Sequence, residues 1–159
     1  MPVESNFDMA ALKKYAESKK DDFIEAAVEA YKITCIEAVR RAKQTNTYKD
    51  QTHRLRSSIG CVLYHDGVEV YNYFESTGGE AGGEGVQLGL TQARNLAELQ
   101  GNKSIVAVLI AGAHYAVYVE AKGYDVLTGS TLRFTEDLKE EFSNIQKAFK
   151  EHVKGKFNL

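Results

Sequence analysis

The sequence predicts an α+β domain in which a long N-terminal helix and a C-terminal helix pack on one side of a mainly antiparallel sheet of about four strands. Three observations predict it. From Asp8 to Lys43 the chain lacks Gly and Pro, and its apolar residues recur every third or fourth position. Between Ile59 and Glu75 two runs rich in β-branched and aromatic residues flank Asp66-Gly67, a pair suited to a tight hairpin turn. From Ser130 to Lys154 a helical period returns.

Each element follows in order. Asp8 can cap the first helix, and the cluster Lys19, Lys20, Asp21, Asp22 can bend it, so residues 1–20 are expected to be a loosely attached helical segment of one domain spanning 1–159. Beyond the bend, Ile24, Ala27, Val28, Tyr31, Cys35, Ala38, Val39 and Ala42 form one apolar stripe. The period of two places Ile59, Cys61 and Leu63 on one face of the first strand, and Val68, Val70 and Phe74 on one face of the second. Glu69, Tyr71, Tyr73 and Glu75 then face water or a partner. Ser76 to Gly85 is half glycine and reads as a mobile surface loop that orders on assembly, or as a passive linker. A helix from Val86 to Gln100 docks Leu88, Leu96 and Leu99 on the sheet, and Gly101-Asn102 ends it. Ser104 to Ala111, apolar on both faces, suits a central strand, and His114 to Ala121 suits another. Leu132, Leu138, Phe142, Ile145, Phe149 and Val153 form the buried stripe of the last helix.

Composition narrows the function. A chain of 159 residues suits one domain that buries about two thirds of its unfolded surface. Its formal charge of −2 provides no global field toward nucleic acid or an anionic membrane. Cys35 and Cys61 lack metal or redox spacing and read as packed thiols. With no signal-like start and no apolar run near the roughly 20 residues of a membrane span, a soluble protein made in a reducing cytoplasm is expected.

No constellation carries chemistry. The glycine-rich stretch lacks a following Lys-Ser or Lys-Thr, and Glu80 and Glu84 would repel a phosphate. His53, His65, His114 and His152 are scattered; on one strand His114 and Glu120 would stand about 20 Å apart, too far to share a proton. No cofactor, metal or enzymatic activity is therefore expected. Arg54 and Arg56, with Arg40, Arg41 and Lys43 upstream and Tyr71 and Tyr73 on the hairpin, also admit a single-stranded nucleic-acid surface. The plainer reading is that the arginines answer the helix dipole and the tyrosines cover the sheet edge.

Thr52-His53-Arg54-Leu55-Arg56-Ser57-Ser58-Ile59 resembles the motif of the tail-completion and head-tail joining proteins of tailed bacteriophages. In that family a long amphipathic helix leads to Thr-Gly-x-Leu-Arg-x-Ser-Ile at the first strand. Thr52, Leu55, Arg56, Ser58 and Ile59 match position by position, and His53 stands where the family has Gly, a residue that adopts positive φ far more readily. Tyr115-Ala116-Val117-Tyr118-Val119-Glu120 is similar to the family's strand ending in Tyr-Val-Glu, and makes Tyr115, Tyr118 and Glu120 further assembly candidates. The resemblance covers most of the chain after about residue 20. It implies a virion protein, synthesised in a bacterial host's cytoplasm, that forms a ring and contacts other head-tail connector or tail proteins without cofactor, membrane or nucleic acid.

From the residues alone, Thr52 makes a turn, Leu55 and Ile59 anchor the loop in the core, and Ser58 bonds neighbouring backbone. Arg56 is the residue that packing explains least.

Overall fold

The computed structural model describes residues 9–157, so the proposed cap at Asp8 lies outside the described residues. Elements run α1 (Met9–Ser18), α2 (Lys20–Gln44), α3 (Arg54–Ser57), β1 (Ile59–His65), β2 (Val68–Phe74), α4 (Gly82–Leu99), β3 (Ile105–Ala111), α5 (Ala116–Ala121) and α6 (Thr128–Phe157). The α+β class holds, with helices at both ends. The long N-terminal helix is interrupted where the charge cluster falls. Ser18 turns its hydroxyl onto the Tyr15 carbonyl, Lys19 pairs with Asp22, and Asp21 and Asp22 sit in the first turn of α2, where carboxylates favour a helix start. α1 is held by Tyr15, which stacks on His152 of α6 at 6.1 Å and lies under Lys156.

The sheet has three antiparallel strands in the order β2-β1-β3, not four. Asp66 and Gly67, with φ of 48° and 80°, close the β1–β2 hairpin as the Asp-Gly pair foretells. β1 is the central strand; β3, expected at the centre, lies at an edge. Apolarity on both faces of a strand reports that both faces are covered, and says nothing about neighbours to left and right.

The long N-terminal and C-terminal helices share one side as expected, and both faces are covered because α4 packs on the other. Cys35, Val39 and Ala42 of α2 pack on Ile59, Cys61, Ala107 and Leu109, and Ala93 and Ala97 of α4 pack on Val62, Val106 and Val108. The result is three layers, α2 with α6, the sheet, and α4. β1 carries this arrangement: Ile59 to Leu63 are all buried, with odd positions toward α2 and even ones toward α4.

Other expectations are corrected by packing. The segment His114 to Ala121 is not a strand; the chain turns at Gly112–Tyr115 and winds into α5. There the Ala113 N–H donates to Ser58 Oγ and the Ala116 N–H to the Ala113 carbonyl, which bends the chain away from the sheet before the β-formers Val117, Tyr118 and Val119 can pair. Val68 and Val70 are exposed rather than buried: burial alternates from Val68 to Tyr73 in the opposite phase, and Glu69, Tyr71 and Tyr73, expected to face water or a partner, are the half-buried positions. Tyr73 borders the α2-side core and Phe74 the α4-side core. On α6, Leu132 is exposed and Phe149 is at the surface, and Phe134 takes the place next to the core.

The glycine-rich segment differs most. It is neither a loop throughout nor a linker: Gly78 and Gly79 make a turn with positive φ, and Gly82 opens α4. Gly82, Gly85, Gly89, Ala93 and Ala97 are the buried face of that helix, while Leu96 and Leu99 are exposed and Leu88 is only half-buried. A stripe without side-chain bulk lets the α4 backbone approach α3 and the strand ends directly. A Cβ at Gly85 would meet the Arg54 carbonyl at 2.3 Å, and one at Gly89 the Ser58 carbonyl at 2.4 Å.

Candidate functional site

The residue stretch 45–58 is built around α3. His53 enters this short helix with φ 61°, in the left-handed conformation that Gly adopts far more readily than other residues. Its Nδ1 lies 3.2 Å from Thr77 Oγ1 and its ring packs over Gly79, so the imidazole ties the turn before α4 to the motif.

Arg56 finds its explanation here. Its guanidinium donates to the carbonyls of Thr45 (2.8 Å) and Tyr48 (3.3 Å) and lies 5.2 Å from the Tyr48 ring centre, while its backbone N–H donates to Asp50 Oδ2. One side chain thus moulds the loop between α2 and α3. Ser57 and Ser58 fasten the opposite side. Ser57 Oγ accepts the Thr77 N–H at 2.9 Å. Ser58 Oγ donates to the Leu55 carbonyl at 2.7 Å and accepts the Ala113 N–H at 3.0 Å. Both serines are fully buried, where such bonds offset the cost of sequestering a hydroxyl.

The outcome is a concavity of about 920 Å³. The two motifs, some 60 residues apart in sequence, converge on it. Thr52, Leu55 and Arg56 from the first, and Tyr115 and Tyr118 from the second, line it together with Tyr48 and Tyr124. Burial pushes the Tyr115 phenol up, and the nearby Asp50 carboxylate adds to the shift; burial does the same at Tyr48. Both tyrosines are therefore neutral hydrogen-bonding groups across the physiological range. At the rim, Tyr118 is 71% exposed, and Val117, next to it in sequence, is 73% exposed, an aromatic and aliphatic surface with no partner among the described residues.

Not every candidate faces this concavity. Ser58 and Ile59 stand behind it in the core. Glu120 turns toward α6, where Oε1 accepts the N–H of Leu127 and Thr128 and the Thr128 hydroxyl at 2.8, 2.9 and 3.0 Å. Burial raises its pKa, but these donors outweigh burial and hold the carboxyl below the usual carboxylate range. A carboxylate depressed in the fold adds stability above its unfolded pKa and loses it as pH falls through the folded value. Glu120→Gln should therefore cost about 1 kcal/mol near pH 7 and little near pH 3, read from denaturant midpoints at the two pH values.

The nucleic-acid candidates are engaged elsewhere. Arg54 pairs with Glu84 at 2.7 Å and Arg56 is committed to its loop, while Tyr71 lies under Lys32 and Tyr73 bonds Glu75. Sequence reasoning missed Ser57, Tyr48 and the small-residue face of α4. The spacing of Gly82, Gly85, Gly89, Ala93 and Ala97 was the available signal for the last of these. Among the described residues no group of three or more His, Cys, Asp or Glu side chains is placed to hold a metal, and no helix is long and apolar enough to cross a membrane. No family model, no curated protein and no solved structure matches the chain.

Proposed function

We propose that this chain is a virion assembly protein of a tailed bacteriophage or prophage, acting at the head-tail junction or the head-proximal end of the tail through protein-protein contacts in a ring. One observation carries the reading: the two motifs that resemble the joining family meet at one concavity. Thr47, Asp50 and Arg56 spend polar groups on holding its loops in place, and its rim offers Tyr118, beside the exposed Val117, to a partner. Aromatic anchors beside a preformed depression suit protein recognition, since a Tyr side chain supplies large contact area at low entropic cost. The partners in this reading are other connector or tail proteins and further copies of the chain, assembled in the virion after synthesis in the bacterial cytoplasm.

Complementation tests this. Tyr118→Asp alters an exposed side chain and should change stability by less than about 0.5 kcal/mol, yet should leave heads and tails unjoined, the same outcome expected of deleting the gene. Normal particles from a deletion strain, or from one carrying only the Asp variant, would reject the proposal.

A further inference from the structure

The two edges of the sheet are treated differently. β2 carries a register shift, Glu69 and Asn72, devices that discourage pairing with another strand. β3 carries none: its seven residues are all apolar, with no Pro, no charge and a regular register. The Gly112 N–H donates to the Ser58 carbonyl and the Asp66 N–H to the Ser104 carbonyl. With Ile59 opposite Ala111 and His65 opposite Ile105, these bonds place the ladder to β1 on the even-numbered residues of β3. The N–H and C=O groups of Ile105, Ala107, Leu109 and Ala111 therefore point away from β1, and no other described strand meets them.

That edge is recessed. α6 runs alongside α2, joined by Arg41–Asp137 and Tyr31–Phe142. Phe134 and Leu138 of α6 and Leu96 of α4 line a groove of about 560 Å³ along β3. Two helices side by side span roughly 18–20 Å, the width of about four strands, whereas three strands supply about 14 Å. α6 thus overhangs a strand position that the sheet does not fill.

We infer that the free edge of β3 is a strand-acceptor slot, filled by a single extended, apolar segment of a partner protein that bears an acidic group where it meets Lys103. A second copy entering by its own β3 would bring its α6 into the same space, so one segment fits where a second sheet does not. Among the described residues Lys103 is the only charged one lining the groove. It lies just before Ile105, and its ammonium donates to the neutral Gln100 amide oxygen at 3.0 Å. Main-chain pairing then supplies affinity, and alternate side chains enter against Phe134 and Leu138 on one face and Leu96 on the other. This slot is separate from the tyrosine-lined concavity and stands whether or not the virion reading does.

Amide hydrogen exchange on the full chain tests it, with the acetylated peptide Asp-Val-Thr-Val-Thr-Val-Asp as probe and the same peptide with Lys at both ends as control. In dilute protein the amides of Ile105, Ala107, Leu109 and Ala111 should exchange much faster than those of Val106, Val108 and Ile110. The acidic probe at about millimolar concentration should slow the four by roughly tenfold or more, and the Lys peptide should not. Ala107→Pro removes an N–H that β1 does not use, so it should abolish the protection while leaving the unfolding midpoint in place. Should that variant unfold, Thr135→Arg, at an exposed position on the groove wall, must abolish protection instead. The inference is overturned if the four amides are already protected in dilute monomer, which means the chain fills its own slot. Protection that rises with protein concentration alone, making a second copy the occupant, or no response to the acidic probe overturns it equally.

Discussion

Gly89→Ala is expected to destabilise the fold by about 2–3 kcal/mol or more, read from a denaturant titration. An added Cβ would lie 2.4 Å from the Ser58 carbonyl oxygen and 2.7 Å from the Phe74 ring, and Gly112 approaches from the other side. Ser58 cannot yield, because its hydroxyl and carbonyl hold Leu55, Gly112 and Ala113. The neighbouring Gly83 is the control. Nothing lies within 4 Å of a Cβ there, so Gly83→Ala should stabilise the same helix by about 0.5–1 kcal/mol through helix propensity alone. Similar effects at the two positions would mean that α4 does not dock by its small-residue face.

Leu55→Ala should cost about 2–5 kcal/mol through lost transfer energy and the cavity left behind. The side chain is 1% exposed and belongs to the core cluster under α2, with Ile59, Ala116 and Val126. It also forms the floor of the concavity, so the loss joins stability to the shape of the proposed docking surface. A change near zero would place the motif outside the core.

The elements with strong periodicity were legible in the sequence. The α2 stripe, the Asp66-Gly67 hairpin, the buried odd face of β1 and the last helix all follow from patterns within one segment. The errors arose where one segment's fate depends on another. Val117 to Val119 have strand composition, but the serine-anchored turn at Gly112–Ala113 redirects them into α5. Half-glycine composition in Ser76 to Gly85 spoke for disorder, because glycine spacing matters only when a facing backbone demands close approach. The same limit applied to the site. Thr52, Leu55 and Arg56 could be singled out from their motif, but that Tyr115 and Tyr118 lie across from them depends on the fold of the intervening chain. Arg56 looked unexplained because its partners are carbonyls, which every residue has and no sequence marks.

The proposal that this chain is built into a phage particle is tested most directly by quantitative mass spectrometry of particles purified from a host that carries the gene. The account predicts that the chain co-purifies with intact particles at a fixed copy number relative to head and tail proteins. Intact particles that lack the chain, with the chain abundant in the same lysate, would contradict it.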